Sequence, residues 1–287
     1  MDPTVPPLAY AAVLLGAMLH AGWNVVVRHG RDRAFETALV VAGGAVLALL
    51  ILPFLRQPAA AAWPHLLLSC LLHVAYFGLL AAAYERAGVA VVYPLMRGVA
   101  PLLVLLVAVW WFAEPLTPLV WVGVLTLCAG VLLMRGRPRP DAGAGQMYAL
   151  ANAVVIAAYT LNDAAGVRLS GAPVAYALWI FPLTAFPTLV WLRRGAGTSA
   201  TPSPGLKMMT WSDVLRGLGG GASSLASYAL ALWALTVAPV APVAALRETA
   251  MLFGVALARL TLHERVPART WVAVLLIALG AAALRLG

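Results

Sequence analysis

The chain of 287 residues is 63% hydrophobic and only 10% charged, whereas a typical soluble domain is about 25% charged. A soluble fold of this length has no room for so much apolar surface, so the composition excludes the soluble classes of protein. The net charge of +9 comes mostly from arginines in short stretches between apolar blocks. This placement indicates control of membrane topology rather than nucleic-acid binding.

Apolar blocks follow one another along the chain, each about as long as the roughly 20 residues that a membrane-spanning helix needs. The blocks are continuous rather than alternating, which favours helices over a β-barrel. A linker rich in Pro, Gly and Arg follows residue 134 and predicts two five-span units, 1–140 and 141–287. The breaks between blocks predict ten spans, at 8–27, 36–55, 63–84, 89–112, 117–134, 145–163, 173–192, 211–235, 240–262 and 269–286.

The two units repeat at an offset of 150 residues across spans 4 and 5 and spans 9 and 10. Arg, Glu and Trp are rare here, so their coincidence at one offset is strong evidence for a repeat. Because each unit holds an odd number of spans, the two copies are predicted to lie in opposite orientations. The matching pairs are Arg97 with Arg247, Glu114 with Glu264, Trp121 with Trp271, and Gly130 with Gly280.

Polar residues concentrate in the first, third and fourth spans of each unit. Polar groups that face lipid are costly, so this regularity predicts a central polar cavity lined by six helices, with spans 2, 5, 7 and 10 outside. We predict that these side chains bind substrate, apart from Asp163 and Glu248. The residues are His20, Trp23 and Asn24 in span 1, His73 and Tyr76 in span 3, Tyr93 and Arg97 in span 4, Tyr159, Asn162 and Asp163 in span 6, Ser227 and Tyr228 in span 8, and Arg247 and Glu248 in span 9.

Several of these residues also have a purely structural interpretation, which remains open at this point. His20 can serve only to hydrogen-bond a neighbouring helix, and Trp23 and Tyr93 can serve only in packing. Ser227 is of the small type that lets membrane helices approach closely. Asp163, at the predicted end of span 6, can lie at the membrane interface.

Arg97 and Arg247 are harder to explain by structure alone. Each falls well inside a span, where a charge costs about 2.5–3.5 kcal/mol on insertion scales. One interpretation is an internal ion pair with Glu248. One carboxylate cannot neutralise two guanidiniums, however, so we favour at least one arginine facing an anionic group of the substrate.

Proton coupling requires a group that titrates inside the membrane, which arginine does not. The candidates are Glu248, Asp163 and His20, with Glu248 first because it is deepest. The alternative is that Glu248 is the permanent partner of an arginine. Glu114 and Glu264 sit at span ends, where an interfacial position and capping of the next short turn explain them.

No nucleotide-binding loop, metal-ligand spacing or nucleophile elbow occurs in the sequence. We therefore expect no cofactor, no metal and no enzymatic activity. Cys70 and Cys128 both lie inside apolar blocks, which argues against a disulfide framework.

The whole chain resembles the EamA-like branch of the drug/metabolite transporter superfamily. The features that carry the resemblance are the two five-span halves, Glu114 followed by Pro-Leu, and the Trp- and Gly-rich span 5. The stretch 20–24 with Arg28 resembles the span-1 signature of a bacterial subgroup, and 158–160 with Asp163 resembles its span-6 counterpart. The resemblance implies an all-α integral membrane fold and a gradient-driven exporter with a basket-like cavity.

We therefore expect a monomeric secondary transporter in the inner membrane that exports a small polar, anionic or zwitterionic metabolite by alternating access. An importer of an organic anion, such as a phosphonate or carboxylate, is the alternative, and a membrane-embedded enzyme is a weaker one. The orientation is open. The resemblance implies cytoplasmic termini, whereas the positive-inside rule places both termini outside. Apart from Arg97 and Arg247, most arginines lie in the odd-numbered loops, and the even-numbered loops and the termini hold only Arg56, Arg168 and Arg285.

Overall fold

A computed structural model describes residues 5–29, 33–111, 113–138, 140–195, 210–262 and 267–287. Every regular element in these ranges is a helix. Within the described residues, eight helical stretches are long and apolar enough to cross a membrane, and Pro118–Leu133, at 16 residues, is a shorter apolar helix. This confirms an all-α multi-pass membrane protein, while the count of ten spans remains a prediction.

The first half follows the predicted spans closely. Thr117 caps the last of its helices, with its hydroxyl accepting a hydrogen bond from Val120 N at 3.2 Å. Pro94 and Pro101 lie inside the fourth helix without ending it. The helices are α1 Pro7–His29, α2 Arg33–Ile51, α3 Trp63–Arg86, α4 Val89–Trp110 and α5 Pro118–Leu133.

The second half departs from the predicted spans in two places. Its first helix continues to Ser170, past the predicted end at residue 163, and stops where Gly171 adopts a φ of 60°. The predicted ninth span is divided into two helices at Glu248 and Thr249. The helices are α6 Gly143–Ser170, α7 Pro173–Gly195, α8 Trp211–Val237, α9 Val240–Arg247, α10 Ala250–Leu262 and α11 Ala268–Leu286.

The outer surface of the bundle is apolar. Large side chains such as Trp110, Leu71 and Phe186 are 84%, 68% and 75% exposed. Water would penalise this arrangement, whereas lipid favours it. The exposed apolar surface agrees with a protein whose solvent is the bilayer.

The helices of the two halves pack in corresponding pairs. The helix α3 packs along α6, and α8 packs along α1. Similarly, α4 packs on α6, and α1 packs on both α9 and α10. The pairs α2 with α7 and α5 with α11 complete the pattern. At Gly130 the backbones of α5 and α11 lie so close that an added Cβ would be 2.8 Å from Ala273 O.

Candidate functional site

The break between α9 and α10 places two charged residues at the centre of the bundle. Glu248 N and Thr249 N donate to the carbonyls of Ala245 and Leu246, three residues back, at 2.9 and 3.1 Å. The Thr249 hydroxyl also bonds to Leu246 O at 2.7 Å. This tight turn replaces the α-helical pattern with 3₁₀-type bonds, a feature often found at hinges and functional sites. Arg247 ends α9, and Glu248 follows it.

Arg97 and Glu248 form a buried ion pair between α4 and the break. The Arg97 Nε lies 2.7 Å from Glu248 Oε2, and the two side chains are only 8% and 4% exposed. These two atoms are close but not aligned as a hydrogen bond, so the contact is mainly one of charge. Of the two interpretations that the sequence leaves open, the ion pair is the one observed for Arg97.

Arg247 is differently placed. Its guanidinium carbon lies 5.4 Å from the centre of the Tyr228 ring, a cation–π contact. Among the described residues, no carboxylate lies within 4 Å of its guanidinium nitrogens. Arg247 is half-buried, so it is a cation at the centre of the bundle with an aromatic face as its neighbour.

Two narrow recesses meet at the two arginines. The first lies between α4, α6 and α9 and is bordered by Tyr159, Arg97 and Arg247. The second lies between α1, α4, α8 and α9 and is bordered by His20 and Ser227 together with the same two arginines. The two small openings share a pair of cations, while a single central cavity lined by six helices remains a prediction.

Asp163 forms a second polar centre between α6, α7 and α8. The Tyr176 hydroxyl donates to Asp163 Oδ1 at 3.1 Å, and the Tyr228 hydroxyl donates to Oδ2. Asp163 is 0% exposed, so its carboxylate is buried among protein groups. Because α6 runs on to Ser170, Asp163 lies inside the helix rather than at its end, and its depth in the membrane remains a prediction.

Aromatic rings connect these centres. The His73 ring stacks on Tyr159, with centroids 4.4 Å apart, and meets the edge of Tyr228 at 5.9 Å. Tyr76 packs edge-on against Tyr159 at 6.2 Å. Tyr93 packs with the core cluster around Met96 and does not border either recess.

The predicted residues of α1 and Ser227 have local partners. Asn24 Nδ2 donates to His20 O at 2.7 Å, and the His20 and Trp23 rings meet edge to face at 5.3 Å. The buried Trp23 Nε1 has no hydrogen-bond partner among the described residues. The Ser227 hydroxyl donates to Gly16 O at 2.7 Å and thereby ties α8 to α1. Of this group, His20 and Ser227 border a recess.

Asn162 joins two helices through both ends of its amide. Its Nδ2 donates to His65 O at 2.8 Å, and its Oδ1 lies 2.9 Å from His65 Nδ1. A role for Asn162 in binding substrate remains a prediction. Neither His65 nor Tyr176 was predicted as a site residue, since the histidines show no ligand spacing and Tyr176 lies in a span predicted to be outside. Tyr176 is fully buried and bonds to Asp163, but it borders neither recess, so the position of span 7 outside the cavity remains a prediction.

Glu114 acts as a cap, although not for the turn that follows it. Its carboxylate accepts a hydrogen bond from Val240 N, at 3.0 Å to Oε2, and so caps α9 from 126 residues away. Arg168 lies 3.6 Å from the same carboxylate and donates to Leu235 O and Ala238 O at the end of α8. The capping of the next turn is therefore a wrong prediction for Glu114, and Glu264 lies outside the described residues.

Comparison with known proteins agrees with this fold. The model of the EamA-like transporter family, which belongs to the drug/metabolite transporter superfamily, matches residues 7–136. One solved crystal structure has a TM-score of 0.75 and 20% sequence identity, over 97% of this chain and 95% of that one. At that identity the likeness shows the fold alone. Residues 7–136 thus match the EamA-like transporter family, the family that the sequence resemblance pointed to.

Proposed function

We propose that this protein is a secondary transporter that exports a small anionic or zwitterionic metabolite across a bacterial inner membrane by alternating access. Its ten spans form two inverted five-helix repeats, and the substrate binds between them at the two arginines. The proposed substrate-binding residues are those that border the recesses, together with the aromatic side chains next to them. They are His20, Arg97, Tyr159, Ser227 and Arg247, with the rings of His73, Tyr76 and Tyr228.

The observation that carries the proposal is the unequal pairing of Arg97 and Arg247. Both border the same two recesses, but Glu248 neutralises only Arg97. A cation at membrane depth without a counter-ion costs several kcal/mol, and an anionic ligand would offset that cost. A guanidinium also suits bidentate binding of a carboxylate or phosphonate.

Two observations support alternating access between repeats. The helix pairs of the two halves correspond, since α3 with α6 mirrors α8 with α1. The helix break at Glu248 resembles the discontinuous helices on which many secondary transporters build their midplane sites.

Two other functions are weaker. An importer of an organic anion such as a phosphonate or carboxylate would use the same arginine, because direction depends on the coupled gradient rather than on the residues. A membrane-embedded enzyme would need one acid–base group set against a reacting atom. The polar side chains described here instead spread over several helices, and most are engaged with neighbouring protein groups.

The test is a thermal-shift screen of purified protein with carboxylates, phosphonates and amino acids, followed by efflux from proteoliposomes with any compound that binds. A ligand present at 100 times its Kd stabilises by about 2.7 kcal/mol. We expect one or more anionic compounds to raise the Tm of wild type and to lose about 10-fold or more in affinity in Arg247→Ala, the loss of roughly one charge-assisted hydrogen bond.

Arg247→Lys is the matched variant, since it keeps the charge but loses the bidentate geometry. We expect its affinity for the anion to lie between those of wild type and Arg247→Ala. Unchanged binding of the same anion by Arg247→Ala would contradict the proposed site. Stabilisation by cationic compounds alone would contradict the substrate class.

A further inference from the structure

The charged groups at the centre of the bundle comprise two carboxylates in opposite electrostatic settings. Glu248 lies 2.7 Å from the Arg97 guanidinium. Asp163 is fully buried and is held by the hydroxyls of Tyr176 and Tyr228. Among the described residues, Asp163 has no Arg, Lys or His within 4 Å of its oxygens.

The groups that face Asp163 come from each helix packed around it. From α3 come Ser69 and His73, whose imidazole Nδ1 is 2.8 Å from Ser69 O. Tyr176 comes from α7, and Tyr228 from α8. Neutral hydroxyls stabilise a carboxylate less strongly than a guanidinium does, so among the described residues burial is opposed at Asp163 only by the nearby His73 imidazole and by these hydrogen bonds.

A carboxylate in such a setting is of the kind that can change its protonation state within the pH range in which a protein works. Glu248 is not, because taking up a proton there would leave the Arg97 cation buried and alone. The two arginines and two carboxylates thus divide into a fixed pair, Arg97 with Glu248, and a variable pair, Arg247 and Asp163.

Tyr228 links the members of the variable pair. Its hydroxyl donates to Asp163, while its ring lies under the Arg247 guanidinium at 5.4 Å. When Asp163 takes up a proton, the carboxyl group can itself donate a hydrogen bond, and the Tyr228 hydroxyl no longer has to donate to it. A change at Asp163 is therefore passed through one side chain to the cation that borders both recesses.

We propose that Asp163 is the residue that takes up and releases the coupling proton, and that Glu248 is a fixed counter-ion. The inference rests on the proposed transport function and assigns its coupling site. It changes the order of the candidates given by the sequence, in which Glu248 came first. Asp163 does not border either recess, so a proton, which needs no space, is the cation that fits there.

The experiment is an infrared difference titration of the purified protein reconstituted in liposomes, without substrate. A protonated carboxyl has a C=O stretching band that the ionised form lacks, so the band reports proton uptake directly. We expect wild type to show a band that appears as pH falls, Asp163→Asn to lose it, and Glu248→Gln to keep it. Carbon-13 labelling of aspartate carboxyls in the wild-type protein should shift the band, and labelling of glutamate carboxyls should not.

The labelled wild-type protein keeps the test valid even if Asp163→Asn folds poorly. A band that survives in Asp163→Asn, that shifts with labelled glutamate, or that never appears would overturn the assignment. Because no substrate is present, failure here leaves the anion-binding test of Arg247 unaffected. Conversely, a titrating Asp163 in a protein that binds no anion would count against the transport proposal alone.

Discussion

Arg97 and Arg247 occupy the same position in the two halves of the chain, 150 residues apart, yet they have different neighbours. Arg97 is paired with a carboxylate and is almost fully buried. Arg247 lies over an aromatic ring, and no carboxylate among the described residues pairs with it. Two matching positions thus have different surroundings, an ion pair for Arg97 and an aromatic ring for Arg247, and we propose that only Arg247 faces a ligand.

The difference begins one residue later in the sequence. Gly98 follows Arg97, whereas Glu248 follows Arg247. A Cβ added to Gly98 would lie 2.6 Å from Leu132 Cγ, so α4 packs tightly on α5 at that point and has no space for a side chain. In the second half the helix is instead broken at this point, and the Glu248 carboxylate faces Arg97 of the first half. Symmetry in the sequence therefore produces an asymmetric site.

The largest expected effect comes from separating the ion pair. Arg97→Ala leaves Glu248 buried without its counter-ion, which should lower the free energy of unfolding by about 3–5 kcal/mol. Arg247→Ala loses a cation–π contact but also removes a cation that has no counter-ion among the described residues, so it should change the free energy of unfolding by less than about 1 kcal/mol. Reversible unfolding in mixed detergent micelles measures both.

The matched control for that comparison removes both charges. Arg97→Met combined with Glu248→Met should recover most of the lost stability, because a buried ion pair adds little over apolar groups of similar volume. Equal losses from Arg97→Ala and Arg247→Ala would show that the two arginines are equivalent.

A smaller effect on the free energy of unfolding is expected where Glu114 of the first half caps helix α9 of the second half. Glu114→Ala removes the acceptor for Val240 N at the start of α9 and should cost about 1–2 kcal/mol. Glu114→Gln keeps an acceptor but loses the charge beside Arg168 and the helix N-terminus, and should cost about 0.5–1 kcal/mol. A loss from Gln as large as that from Ala would show that the charge, rather than the hydrogen bond, holds α9.

Much of the fold can be predicted from the sequence, because membrane helices are specified by their own composition. Runs of apolar residues bounded by Gly, Pro and charge give the helices and most of their ends. The exceptions have local causes. No Pro or Gly marks the break at Glu248, since the turn depends on how the surrounding helices accommodate Glu248 and Thr249.

The candidate site is only partly predictable, because polar residues can be counted in a sequence but their partners cannot. The sequence indicated that Arg97, Arg247, Glu248 and Asp163 matter. It did not indicate which arginine pairs with Glu248. Arg247 is next to Glu248 in the chain, whereas Arg97 comes into contact with it only through the fold. Nor did the sequence indicate Tyr176, whose partner lies on another helix, although a lone Tyr in an otherwise apolar span is a signal that merits more weight.

The claim that one arginine is structural and the other free is tested most directly by a pair of double-mutant cycles on unfolding free energy. One cycle combines Arg97→Ala with Glu248→Ala, and the other combines Arg247→Ala with Glu248→Ala. We predict a coupling energy of about 2–3 kcal/mol for Arg97 with Glu248 and less than about 0.5 kcal/mol for Arg247 with Glu248. Comparable coupling energies in the two cycles would contradict the account, because Glu248 would then be shared by both arginines and Arg247 would not be free to bind an anion.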